Sequence, residues 1–309
     1  MYKEYFTISQ SMEKEEWTQF IKEEFNQEVI KFHTYDQESI VVESAQHFFK
    51  ILKKIKDNLE LEINKLLFKN PHENILSPTN ICFVNNLGKE YAVIVMEKLY
   101  DIHECYDFFE RDLQLQLCNQ LDEAVCHIHS LGYYHGDLKP QNICISKNDK
   151  IKIIDFGASN LINKPEFTNS FGFCSPSQLS YWLETMSYKY QQKYINILKK
   201  LKKLKIIKCE DEKIVVNESS IVSDLFVVGL LMVYIYGRGL LLFLPNQKNK
   251  DFESEIINNY DKFLEDPKGY INVVYDKIKP PKKIRDKITK YLLDGVYNSD
   301  GNGFNNEEN

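Results

Sequence analysis

The sequence predicts an α+β chain in two unequal lobes, a small five-stranded sheet with one helix followed by a larger, mainly helical lobe. Three observations carry this. Residues 29–97 contain five short runs of β-branched and aromatic residues around a single helical stripe. Beyond Tyr100 the apolar residues recur at helical spacing instead. The chain has 309 residues, 43% apolar and 27% charged, the balance of a folded globular protein of one large or two small domains. A wholly disordered or collagen-like chain is excluded.

Taken in order, residues 1–28 read as an N-terminal extension, with an exposed, charged helix over 11–25. Val29 to Phe32, Ile40 to Glu43 and Phe48 to Leu52 are expected strands. Leu59, Ile63, Leu66 and Leu67 then form the stripe of an amphipathic helix over 57–68, which Asn70-Pro71 breaks. Two more strands, about 80–85 and 91–97, flank the turn Asn85-Asn86-Leu87-Gly88. These elements make a small lobe over 29–99.

The larger lobe is expected over 100–297. Leu117, Leu121, Ala124, Val125 and Ile128 mark a long helix, and Ile143–Ile145 and Ile151–Ile154 a short hairpin. Leu225 to Leu244 is mostly apolar, but it holds Arg238 between Gly237 and Gly239 and directly follows Asp224. A buried core helix over 225–236 fits this better than a membrane span. Residues 298–309 form a polar tail.

The net charge of −6, from 39 basic and 45 acidic residues, does not ask for nucleic acid as a partner. Seven cysteines without a CxxC pair read as free thiols of a reducing compartment. Residues 1–10 lack the basic-then-apolar pattern of a leader, so the expected location is cytoplasmic.

The chemistry lies in the string His135-Gly136-Asp137-Leu138-Lys139-Pro140-Gln141-Asn142, followed after the hairpin by Asp155-Phe156-Gly157. A carboxylate, an ammonium, an amide and a second carboxylate thus issue from two loops. Phosphoryl transfer needs such a set: a base for the attacking hydroxyl, a cation to balance charge, and hard oxygens for Mg²⁺ on the nucleotide phosphates. One Asp-x-Lys alone would read as a polar loop; the whole string does not.

At these residues the sequence resembles the eukaryotic protein kinase family, whose signature is H-R-D-x-x-x-x-N followed by D-F-G. The resemblance runs from about residue 29 to 294. Ser223-Asp224-Leu225-Phe226 with Gly229 is similar to the start of the family's buried central helix, and Phe173-Cys174-Ser175-Pro176 to the end of its activation segment. Met96-Glu97-Lys98-Leu99 resembles the hinge that meets adenine.

The resemblance implies a bilobal protein-kinase-like fold, ATP and Mg²⁺ as cofactors and a protein substrate. Lys139 marks the serine/threonine type. By the same resemblance Asp137 is the catalytic base, Lys139 its charge partner, and Asn142 and Asp155 the magnesium ligands. Lys50, within Phe49-Lys50-Ile51-Leu52, and Glu62, at the head of Glu62-Ile63-Asn64-Lys65-Leu66-Leu67, stand for the family's strand lysine and helix glutamate. Lys53, Lys54 and Glu60 are rivals for these two positions. Met96, Glu97 and Leu99 complete the nucleotide-binding set.

The sequence also departs from the family. No glycine lies between Val29 and Lys50, where the family has its glycine-rich loop; the hairpin tip is Tyr35-Asp36-Gln37-Glu38-Ser39. Weak nucleotide affinity is therefore expected, and a pseudokinase acting as a binding scaffold is the alternative reading. Gly136 replaces the arginine of H-R-D, so Ser159, Thr168 or Ser170, if modified, cannot act through that contact. Ser177 stands where the family has a glutamate, with Gln178 one residue beyond, and no arginine partner is evident late in the chain.

An insert over about 179–220 holds the basic amphipathic stretch Ile197 to Lys205, then an expected hairpin. That stretch is either a contact for anionic membrane or an acidic partner groove, or a solvated helix packed on the large lobe.

Overall fold

The computed structural model describes residues 5–8, 13–86, 88–105, 109–162, 164, 170, 172–185, 188–210, 213–216, 220–243 and 252–297. The chain divides into two compact units, residues 1–100 with 144–157, and residues 101–143 with 158–309.

The first unit is built on a six-stranded sheet. Its elements are β1 (Tyr5–Ile8), α1 (Lys14–Phe25), β2 (Val29–Tyr35), β3 (Ser39–Ser44), β4 (His47–Leu52), α2 (Leu59–Lys69), β5 (Asn80–Asn86) and β6 (Lys89–Glu97). The strand order is β1-β5-β6-β4-β3-β2. The five expected strands are all present and antiparallel, and β1 adds a sixth, parallel to β5.

Period-two alternation splits the apolar residues between two faces. Ile40, Val42, Phe49, Ile51, Val93 and Val95 go to one face, where Trp17, Phe20 and Ile21 of α1 bury against them. Leu52, Ala92, Ile94 and Ile81 take the other face, with Leu61 of α2.

Two expectations are corrected here. Residues 1–28 are not an extension, since they supply a strand and the helix that covers one sheet face. Nor is that helix merely exposed: Trp17, Phe20 and Ile21 sit at i, i+3 and i+4 and are buried. The Trp17 ring meets Tyr91 edge-on at 5.5 Å. Surrounding Glu and Lys residues hide this narrow stripe in the composition, while the β-branched sheet face demands a cover.

The chain continues through β7 (Tyr100–Asp101), α3 (Ile102–Cys105), α4 (Arg111–Ser130) and β8 (Tyr133–Tyr134). A 3₁₀ turn, Pro140–Asn142, leads into β9 (Ile143–Ile145) and β10 (Ile151–Ile153). Residues 144–157 belong with the first unit, not with the larger lobe where the sequence placed them. The cause is the main chain before β5: Leu76 N–H donates to the Ile153 carbonyl at 2.9 Å and Ile153 N–H to the Asn74 carbonyl at 3.0 Å.

The second unit adds β11 (Asn160–Leu161), α5 (Pro176–Thr185), α6 (Tyr188–Lys203), β12 (Ile207–Glu210), β13 (Lys213–Val216), α7 (Ser220–Tyr236), α8 (Phe252–Glu265), α9 (Pro267–Ile278) and α10 (Lys282–Tyr297). β11 pairs with β8, and β12 with β13 as the expected hairpin.

α7 is the buried axis of this unit, with nearly every residue enclosed. α10 closes on it through Gly295, where a Cβ would lie 2.4 Å from the Phe226 ring. The apolar run from 225 leaves helix at Tyr236, and no described helix is long and apolar enough to cross a membrane.

α6 packs on this unit: Ile197 and Leu201 are buried, and Lys200 bridges Asp261 at 2.6 Å and Glu265 at 2.8 Å on α8. The Ile197–Leu201 part of its apolar side is thus used, while Ile195, Lys199, Lys202 and Lys203 are exposed. The polar tail and Thr168 lie outside the described residues.

Candidate active site

In the first unit the sheet register puts Lys50 on the face shared with Leu52, opposite Ile94 of β6. That face carries α2. The Lys50 ammonium pairs with the Glu60 carboxylate and, at 2.9 Å, with Asp155 Oδ1. Burial pulls Lys50 down, but Glu60 and then Asp155 outweigh it and hold the ammonium above its ordinary value. Asp155 takes a left-handed backbone, φ 64°, at the exit from β10, and its carboxylate remains half-exposed.

The partner of Lys50 is therefore Glu60, not Glu62. Glu62 points outward and pairs with Lys65 at 3.0 Å. The inward face of α2 runs through Glu60, Ile63, Asn64 and Leu67, the i, i+3, i+4, i+7 set. The stripe read from the sequence began at Leu59, but Leu59 is exposed and Asn64 is buried. The buried asparagine is satisfied within the helix, its Nδ2 donating to the Glu60 carbonyl at 2.8 Å, so a polar residue can sit on the inward face.

At the end of β6, Met96 packs beside the Leu52–Ile94 cluster and Glu97 pairs with Lys152 at 3.0 Å. Leu99 follows, half-buried, after the strand.

In the second unit the loop after β8 presents Asp137, Lys139 and Asn142. Lys139 Nζ lies 2.5 Å from Asp137 Oδ2, and Asn142 Nδ2 donates to the Asp137 carbonyl at 2.8 Å. That donation leaves the amide oxygen as the arm not used in the contact. Ser170, from far along the chain, donates its hydroxyl to Asp137 Oδ1 at 2.8 Å and accepts from Lys139 at 2.9 Å. Sequence reasoning treated Ser170 only as a modifiable hydroxyl; nothing local ties it to the Asp-x-Lys.

The loop is held from behind by Asp224 at the head of α7. Its buried carboxylate accepts from the His135 N–H at 2.7 Å, the Gly136 N–H at 3.1 Å and His129 Nε2 at 3.0 Å. His129 and His135 are thus structural, and among the described residues no cluster of three metal-ligating side chains occurs.

Gly136 has φ 80°, and a Cβ there would lie 2.6 Å from the Ala158 carbonyl oxygen. The site of the family's arginine is consequently closed to any side chain without local rearrangement. Ser159 is buried and donates to the His135 carbonyl at 2.9 Å, so its hydroxyl is engaged inside the unit.

At the head of α5 a neutral network stands where the family has an acidic residue. Ser175 Oγ meets Ser177 Oγ at 2.8 Å and Ser223 Oγ at 3.2 Å, all buried. Gln178 does not substitute for the missing carboxylate; it caps the helix, accepting the Ser175 N–H at 2.8 Å.

Comparison with known families decides the class. The family described as "Protein kinase domain" matches residues 28–194, more than half of the chain. The chain belongs to the protein kinase domain family.

Curated kinases align with it over shorter stretches. Mouse NUAK family SNF1-like kinase 1 is 38% identical over 129 residues, 38% of this chain and 19% of that protein. The Arabidopsis thaliana eIF-2-alpha kinase GCN2 is 34% identical over 29% of this chain and 8% of its own length. Arabidopsis mitogen-activated protein kinase kinase 10 is 27% identical over 40% and 42%. The chain thus spans less than half the length of these relatives. Among solved structures, that of Rad53 1-466 in complex with AMP-PNP superposes with a TM-score of 0.54, covering 89% of this chain and 64% of that one at 18% identity. This likeness speaks to the fold.

Within each unit taken by itself the side chains are of types that suit phosphate or a hard cation. Lys50 is a buried ammonium suited to phosphate oxygens. Asp155 of the first unit brings a half-exposed carboxylate, and Asn142 of the second an amide whose nitrogen is the arm spent on the Asp137 carbonyl. Mg²⁺ is ordinarily held by one or two such side chains together with substrate phosphates and water.

Proposed function

We propose that this kinase domain is a serine/threonine protein kinase that transfers the γ-phosphoryl group of ATP to a protein hydroxyl, with weak nucleotide affinity. One observation carries the reading: Asp137 already receives a serine hydroxyl at 2.8 Å, with the Lys139 ammonium touching both groups. A carboxylate in that setting orients a hydroxyl and accepts its proton as the oxygen attacks phosphorus. The bond from phosphorus to the bridging oxygen breaks, and ADP leaves. Lys139 balances charge on the moving group, and Lys50, oriented by Glu60, holds the phosphates. Asn142 and Asp155 offer the oxygens for Mg²⁺, which would neutralise the phosphate charge. Residues 96–99 are the proposed adenine contact.

We place the protein in the cytoplasm; seven cysteines without a CxxC pair in the sequence support a reducing compartment.

A pseudokinase scaffold is the second reading, favoured by the glycine-free hairpin tip. Thermal shift with ATP, with and without Mg²⁺, followed by radiolabel transfer to a generic protein substrate, separates the two. Transfer that falls by about 10²–10⁴ in Asp137→Ala supports the kinase. Binding without transfer supports the scaffold, and transfer unchanged in Asp137→Ala refutes the assignment of the base.

A further inference from the structure

The tip of the β2–β3 hairpin occupies the place of the missing glycine-rich loop, and its backbone N–H groups are already liganded. Asp36 Oδ1 accepts the N–H of Glu38 and the N–H of Ser39, both at 2.8 Å. The Asp36 N–H in turn donates to the Ser39 carbonyl at 3.1 Å. From β4, the Lys53 N–H donates to the Glu38 carbonyl at 3.0 Å, and the Lys53 ammonium reaches the Asp36 carbonyl and lies 4.8 Å from the Tyr35 ring centre.

Adjacent backbone N–H groups converging on one point form an anion-binding nest. Here the anion is a side chain of the turn itself. The location gives this a consequence for the site. Ser39 pairs with Leu52, two residues beyond Lys50 on the same strand. Asp36 therefore sits in the field of Lys53 and Lys50, a place where a phosphate group would otherwise profit.

We propose that Asp36 is an internal anion that fills the hairpin's amide nest and denies it to the phosphates of the nucleotide. The ligand named rests on the ATP reading above; the filling of the nest does not. Wild-type protein is then expected to gain little affinity from the triphosphate tail through this hairpin. Emptying the nest restores about two charge-assisted bonds, which corresponds to at least about ten-fold in affinity.

The test uses the full chain and two variants. Asp36→Ala empties the nest, whereas Asp36→Asn keeps the Oδ1 acceptor and removes only the charge. Inorganic tripolyphosphate, which carries no adenine, is titrated while the Glu38 and Ser39 amide resonances are followed. Shifts of both resonances in Asp36→Ala, but not in wild type or Asp36→Asn, support the proposal. Equal shifts in wild type and Asp36→Ala, or none in either, overturn it. In wild type alone, the same two resonances should also follow the titration of the Asp36 carboxyl, and their indifference to it would overturn the proposal without any variant.

Calorimetry with adenosine and ATP completes the set: ATP tightens at least about ten-fold in Asp36→Ala while adenosine is unchanged. If tripolyphosphate behaves as expected but neither protein binds adenosine or ATP, the filled nest stands and the ATP reading falls. If ATP binds yet tripolyphosphate shifts wild type and Asp36→Ala alike, the ATP reading stands and the role of Asp36 falls.

Discussion

Replacing Glu60 by glutamine leaves Lys50 with Asp155 as its one carboxylate partner among the described residues, while replacing Glu62 leaves the Lys50 pairings untouched. The expected costs follow from exposure. The Lys50 and Glu60 side chains are 16% and 12% exposed, so their interaction is little screened by water. A hydrogen bond between charged groups in such a setting contributes roughly 1.5–3 kcal/mol. Stranding one member of a buried pair altogether costs about 3–5 kcal/mol, but Asp155 remains, which keeps the expectation for Glu60→Gln at about 1.5–3 kcal/mol. The Glu62 and Lys65 side chains are 57% and 36% exposed and lie at i, i+3 on α2, a pairing worth about 0.2–0.5 kcal/mol.

Urea unfolding read by Trp17 fluorescence in a Trp182→Phe background measures both variants, because Trp17 reports on the unit that holds the pair. On the kinase reading, Glu60→Gln should also lose roughly ten- to a hundred-fold in the transfer assay, because a Lys50 ammonium that is no longer oriented forfeits about one charge-assisted bond to phosphate. A Glu62→Gln protein as impaired as Glu60→Gln, or a Glu60→Gln protein indistinguishable from wild type, would refute the assignment of the Lys50 partner.

Trp17→Ala should cost the first unit about 3–5 kcal/mol in urea unfolding, because the ring is fully buried against the sheet; an effect under about 1 kcal/mol would mean that α1 is dispensable. Gly136→Ala places a Cβ 2.6 Å from the Ala158 carbonyl oxygen on a left-handed backbone, and should cost the second unit at least about 1–2 kcal/mol in urea unfolding followed by far-ultraviolet circular dichroism, since that unit is mainly helical. The Glu43 carboxyl is held below its ordinary value of 4.5, first by the hydrogen bond from Lys98 and then by that from His33. A carboxyl lowered on folding stabilises the protein above its unfolded-state pKa, and the contribution disappears as pH falls through the folded-state pKa. Acid unfolding of wild type should therefore steepen below about pH 4.5, and Glu43→Gln should flatten that limb.

Strands were legible wherever one face alternates with the other, as in Ile40-Val41-Val42 and Phe49-Lys50-Ile51, since local sterics and period two fix which side chains share a face. The turn between β9 and β10, and the polar string from His135 to Asn142, were legible for the same local reason. In α2 an asparagine, Asn64, is buried where the stripe calls for an apolar residue, and the inward carboxylate is Glu60 in place of Glu62. In α1 three apolar residues among charges became a core only because an uncovered sheet face lay opposite.

The residue types able to handle a phosphoryl group, and their spacing along two loops, were set in the chain's own order. Ser170 joins Asp137 across 33 positions and Asp224 supports His135 across 89, and no pattern along the chain announces either. The second contact comes from packing around α7, where the buried Asp224 carboxylate must find donors wherever the closed structure brings them.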